Sequence, residues 1–126
     1  MKSRESALRL KRFAAEEKRR KVSDLEQMIR EFHHMATDLD RQVQAEEERT
    51  GVRDKSHFTY STLAKAAADR RDKLRASAAD LQAKLEAAVR ERDEALAALE
   101  KAAQSDQRDQ GRGPRSRERP SDVLMR

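Results

Sequence analysis

The sequence has no cysteine and no tryptophan, and only 3 glycines, 2 prolines and 3% aromatic residues. Each shortage removes a class of protein. Without cysteine there is no disulfide framework and no thiolate metal or redox chemistry, a usage that fits a reducing compartment. With so few aromatics and 42% charged residues, a thick multilayer core is not expected, and 126 residues allow one domain at most. No apolar run approaches the ~20 residues that span a bilayer, so no transmembrane segment is expected. The start MKSRESALRLKRFAAEEKRRK is basic but lacks an apolar block followed by a small-residue cleavage site. A soluble cytoplasmic chain is therefore expected. Scarce Gly and Pro beside abundant alanine are the reverse of a disordered composition and favour long helices.

What the chain does have is charge, unevenly placed. Residues 1 to 21 carry nine basic and three acidic groups (+6), residues 22 to 105 fourteen and seventeen (−3), and residues 106 to 126 six and four (+2). If the two termini meet in space, one pole is basic and the other neutral to acidic.

The apolar residues fall into heptads. Leu8, Ala15, Val22, Ile29, Ala36 and Val43 are each seven apart, with Leu25, Phe32 and Leu39 on a second seam. Lys11 and Lys18 occupy seam positions where an apolar residue is expected. After a break a second register holds: Tyr60, Ala67, Leu74, Leu81, Ala88, Ala95 and Ala102, with Ala64, Ala78, Leu85 and Leu99 beside them, interrupted by Arg71 and Arg92. So many alanines imply closely approaching helices and little apolar area per turn. Opposite charges four apart, such as Glu16 and Arg20 or Asp80 and Lys84, support helix and solubility.

The break EEERTGVRDKSHFTYSTLA, Glu46 to Ala64, holds the one glycine in the first hundred residues. Gly51 stands where a left-handed cap residue is wanted, and Ser56, Thr59 and Ser61 are candidate N-caps for the second helix. Two helices of about 65 to 70 Å, at 1.5 Å per residue, then fold back on each other around one short turn. The expected fold is all-α: a long antiparallel two-helix coiled-coil hairpin over 1–105, with helix 1 about 4–49, the turn 50–58 and helix 2 about 59–105. Its register sets Leu39 near residue 70 and Leu8 near residue 101. Residues 106–126, with two Gly, two Pro and many Arg, are expected to form a disordered basic tail.

Such a fold has no interior deep enough to exclude water from a reaction, and no Gly-rich phosphate loop or nucleophile and base pair is present. No enzymatic activity and no cofactor are expected. His33 and His34 are adjacent, so they cannot face one ion from a helix, and His34 with Asp38 supplies only two ligands. Glu46, Glu47 and Glu48 read as a solvated helix end. Nucleic-acid binding is not expected either, because acids interleave with the bases of EEKRRK and the aromatics are too scattered for a stacking platform.

Taken in order, the charged first helix ALRLKRFAAEEKRRKVSDLEQMI, the acidic QAEEERTGV, the aromatic restart HFTYSTLAKAAADRRDKL and the Ala-rich second helix resemble the flagellar type III export protein FliJ family, in its shorter alphaproteobacterial form. The resemblance covers about Met1 to Lys101, and its most specific part is GVRDKSHFTYSTLAKAAADRRDKL. It implies a stalk-like soluble component that couples the hexameric flagellar export ATPase to the cytoplasmic domain of the membrane export gate, works with export chaperones, and is needed for flagellum assembly and motility. It also implies a cytoplasmic location, peripheral to the inner membrane at the flagellar base. On this reading Leu8, Arg9, Leu10, Lys11, Arg12, Phe13, Leu96 and Leu99 are candidates for ATPase contact, and Tyr60, Leu63, Ala67, Arg70 and Leu74 for export-gate contact. Seam packing alone accounts for Leu8, Leu99, Tyr60, Ala67 and Leu74, whereas Leu10, Phe13 and Leu63 lie nearer the edge. The alternative readings are a generic coiled-coil holdase or scaffold and a nucleic-acid-binding coiled coil.

Overall fold

The computed structural model describes the backbone of residues 2–124 and the side chains of residues 3–108. Among the described residues the chain is all-α, with two elements, α1 (Lys2–Thr50) and α2 (Thr62–Leu124). Neither Gly nor Pro interrupts α1, and none occurs in α2 before residue 111. Every residue in those stretches can therefore keep its helical backbone hydrogen bond without the local penalties those two residues carry. The chain divides into two compact units, Lys21–Ala88 and the combined segments Met1–Arg20 and Val89–Arg126.

The unit Lys21–Ala88 is an antiparallel helical hairpin closed by the turn between α1 and α2. Val22, Leu25, Ile29, Ala36, Leu39 and Val43 of α1 are buried, and so are Ala64, Ala67, Ala68, Ala78 and Ala88 of α2. Apart from Ala68, these are the heptad positions read from the sequence. The two helices contribute unequally: α1 supplies the larger side chains, and every buried residue of α2 in this unit is alanine. Next to the turn, Leu39 and Val43 pack with Ala64, Ala67 and Ala68, with Tyr60 and Leu74 against them. Each alanine methyl removed from water adds about 1 kcal/mol or less, so the close approach yields modest stabilisation per heptad.

Arg71, an interruption of the seam in sequence, is an ion pair in space. Its Nη1 donates to Asp40 Oδ1 across the hairpin at 2.6 Å and its Nε to Asp72 Oδ1 at 3.1 Å, leaving the side chain 11% exposed. These carboxylates hold the Arg71 guanidinium above its ordinary pKa, the Asp40 hydrogen bond contributing most. A half-buried cation that finds its anion only in one register penalises slippage of one helix past the other.

In the unit formed by Met1–Arg20 and Val89–Arg126, Ala15 is buried, while Leu8, Ala95, Leu96, Leu99 and Ala102 are half-buried. Lys18, a second charged seam residue, donates from Nζ to Glu91 Oε1 at 2.9 Å. Leu8 shares a groove with Arg4, Ala7, Ala102, Ser105 and Asp106. The contacts of Asp40 with Arg71, Lys18 with Glu91 and Leu8 with Ala102 agree with the register expected from the matched helix lengths. The sequence ends helix 2 near residue 105 and reads 106–126 as a disordered tail. The path of α2 is continued to Leu124, and the side chains of 109–126, where most of that expectation falls, lie outside the described residues.

Candidate functional surfaces

The turn is built from cap chemistry at both helix ends. Gly51 has φ +73°, and its amide donates to the Glu47 carbonyl at 2.9 Å, the single bond of a left-handed helix stop. A Cβ at this position would meet nothing within 4 Å, so glycine is required by the backbone angle rather than by space. Thr50 Oγ1 donates back to the Glu46 carbonyl at 3.0 Å. On the far side, Ser61 is the N-cap, its Oγ accepting the Ala64 amide at 3.2 Å. Helix 2 accordingly begins at Thr62, three residues after the expected start at 59, because Ser61 caps it rather than Ser56 or Thr59.

Those two residues have other work. Asp54 Oδ1 accepts the Ser56 amide at 3.0 Å and the Ser56 hydroxyl at 2.7 Å, which holds the Asp54 carboxyl below its ordinary pKa. The His57 amide donates to the Asp54 carbonyl at 3.1 Å and the Tyr60 amide to the His57 carbonyl at 3.0 Å, so two tight turns stand in succession. His57 Nδ1 accepts the Thr59 amide at 3.1 Å, and the Phe58 ring stacks on the imidazole with centroids 4.9 Å apart.

The acidic run before the turn is not the solvated helix end expected. Glu46 and Glu47 are half-buried, and only Glu48 is exposed. Ser61 Oγ donates to Glu46 Oε1 at 2.9 Å and Tyr60 Oη to Glu47 Oε2 at 2.8 Å, so the end of α1 is clasped to the entry of α2. Arg49 forks onto Glu46, with Nε 3.0 Å from Oε2 and a second contact to Oε1. The Arg49 and Ser61 hydrogen bonds lower the Glu46 pKa from 4.5 to about 2. This contribution to stability is complete above about pH 4.5 and is lost as the pH falls through about 2. The periodicity of the seam could not reveal the clasp: Glu46 falls seven after Leu39 and so reads only as a charged interruption of the second seam, and Glu47 lies off both seams. The signal available was the spacing of two acids against Tyr60 and Ser61 across a predicted turn.

The export-gate candidates separate into two groups. Ala67 is buried, and Tyr60 and Leu74 are half-buried against the Leu39 and Val43 cluster, so these three are packing residues of the hairpin. Leu63, 63% exposed, and the exposed Arg70 lie seven apart on the outward face of α2.

The ATPase candidates separate in the same way within their own unit. Leu8, Leu96 and Leu99 are half-buried, whereas Leu10 is 69% and Phe13 62% exposed. Ser6, Arg9, Leu10 and Phe13 line one shallow concavity along α1, and their spacing of three, four and seven puts them on a single helix face. Lys11 and Arg12 are exposed beside it. The patch is apolar at its centre and basic around it.

His34 Nε2 lies 3.6 Å from Asp38 Oδ2, with both side chains well exposed, and Arg41 reaches the other Asp38 oxygen at 3.5 Å. Among the described residues no three His, Cys, Asp or Glu side chains converge as metal ligands, and no helix is long and apolar enough to cross a membrane.

Fold and surfaces together define an all-α, coiled-coil-type hairpin protein that presents helix faces and a structured turn. No family model, curated protein or solved structure matches the chain.

Proposed function

We propose that the chain is a coiled-coil coupling component of the flagellar type III protein export apparatus, linking the hexameric export ATPase to the cytoplasmic domain of the membrane export gate during flagellum assembly. The resemblance of GVRDKSHFTYSTLAKAAADRRDKL and its flanking helices to the FliJ family motivates this reading. The observation that carries it is the exposure of Leu10 and Phe13 on the face that also bears Arg9. Seam packing gives no reason for large apolar side chains there, and a patch of this composition suits a protein partner with an apolar cleft and an acidic rim. Leu63 and Arg70 supply a second outward surface, assigned to the gate. The protein works in the cytoplasm, at the inner face of the membrane near the flagellar base, and meets export chaperones there.

Replacing Leu10 and Phe13 by Asp tests the assignment, because both side chains are exposed and the helix does not need them. Association with the export ATPase of the same cell is expected to fall at least about tenfold, the loss of two partly buried anchors, with helicity by circular dichroism unchanged. Unaltered association removes the ATPase assignment. Deleting the gene is expected to abolish flagella and swimming, and normal flagella would sink the proposal as a whole. Broad capture of unfolded clients with no need for the ATPase would assign the chain instead to the holdase class.

A further inference from the structure

The turn between the helices exposes an aromatic ring that neither the hairpin nor the proposed coupling role uses. Phe58 is 92% exposed, more than any other large apolar residue described. It is not a loose side chain. Tight turns over 54–57 and 57–60 fix its backbone on both sides, and its ring stacks on His57, whose Nδ1 is held by the Thr59 amide. The ordering cost of presenting this ring is thus met within the turn before any partner arrives.

Two exposed cations stand beside it in sequence, with acids further out: Glu48 is exposed at the end of α1, and Lys55 lines a shallow groove with Asp69 and Asp72 of α2. Arg53 and Lys55 are exposed, and no ion pair of either is seen among the described residues. The single acid of the turn, Asp54, is turned onto the Ser56 amide and hydroxyl. Of the preceding acids, Glu46 and Glu47 are drawn back onto Ser61 and Tyr60. What projects is one aromatic ring with two cations close by in sequence; the shallow groove, lined by Lys55, Tyr60, Lys65, Ala68, Asp69 and Asp72, lies on the α2 side of the turn and does not take in Phe58. That combination matches an interface where negative headgroups overlie hydrocarbon.

We propose that the turn is a membrane-docking tip: Phe58 enters the interfacial layer of an anionic lipid bilayer, and Arg53 and Lys55 sit among its phosphate headgroups. A single ring and two cations give weak, reversible attachment that is useful as a second anchor beside a protein contact.

The test uses the full chain with vesicles of phosphatidylcholine alone and of phosphatidylcholine mixed with phosphatidylglycerol. Binding by flotation is expected for the mixed vesicles, to weaken at high salt, and to be much weaker for phosphatidylcholine alone. Phe58→Ser should reduce it about five- to tenfold, and Arg53→Glu with Lys55→Glu at least about tenfold. Because the chain has no tryptophan, Phe58→Trp introduces a unique reporter whose emission should shift to the blue on mixed vesicles. The basic amino-terminal stretch could draw the chain to anionic vesicles by itself. Equal binding by Phe58→Ser, or an unshifted emission, therefore overturns the proposal. So does binding that ignores headgroup charge, or capture of an acidic polyglutamate peptide through these residues with no capture of vesicles, which would assign the turn to a protein partner.

Discussion

Tyr60 shows how much a single residue of the turn is asked to do. It packs on the Leu39 and Val43 cluster, and its hydroxyl donates to Glu47. Donation to a carboxylate and burial both favour the neutral phenol, so its pKa is raised above the usual 10.0. The phenol's contribution to stability is therefore complete below the unfolded value and is lost as the pH rises through the higher folded value. Tyr60 is the only tyrosine, so phenolate absorbance reads it alone. The midpoint is expected above 10.0 in the folded chain, and Glu47→Gln should bring it down toward that value. A wild-type midpoint at 10.0 while helicity persists would show that the clasp does not hold in solution. Residue type foretold Gly51 and put Ser61 among three candidate caps, because cap chemistry is local. The partners of Glu46 and Glu47 were not foretold, because they depend on the path of the chain through the turn.

At the scale of the element, heptads made the two helices legible and matched lengths fixed their antiparallel register. The seam residues read as flaws in sequence, Lys18 and Arg71, find carboxylates on the opposite helix at Glu91 and Asp40. Periodicity marks a charged residue as an exception but does not say whether an anion will face it. The unequal packing of α1 and α2 leads to a directional expectation. Ala67 is 4% exposed beneath Leu39 and Val43, so Ala67→Leu should force the helices apart and destabilise the hairpin by about 1–3 kcal/mol. Leu63→Ala, on the outward face of the same helix, should change stability by less than about 0.5 kcal/mol. Urea unfolding followed by circular dichroism compares the two. Equal effects would show that the alanine seam is not closely packed.

For the whole molecule, sequence and structure agree that the described residues are all-α, and within each of the two units the buried surface is a narrow seam between helices. Its function was less legible than its fold, because surfaces that meet partners follow no period. Leu10 and Phe13 could be set near the seam's edge from their spacing, but Phe58 stood out only once its exposure was known. The alanine seam has one more consequence, in the response to temperature. Hydration of newly exposed apolar surface raises the heat capacity on unfolding, and exposed polar surface lowers it. A chain that hides little more than methyl groups along one helix should unfold with a heat-capacity increment below the usual ~12–15 cal/mol/K per residue. Calorimetry should show a low, broad endotherm with a small heat-capacity step between the folded and unfolded baselines. A sharp transition with the full globular increment would mean that much more apolar surface is hidden in solution, as in a bundle of several copies. A flat stability curve keeps such a hairpin nearly as firm in the cold as in the warmth, because little of its cohesion depends on the hydrophobic effect that cooling weakens.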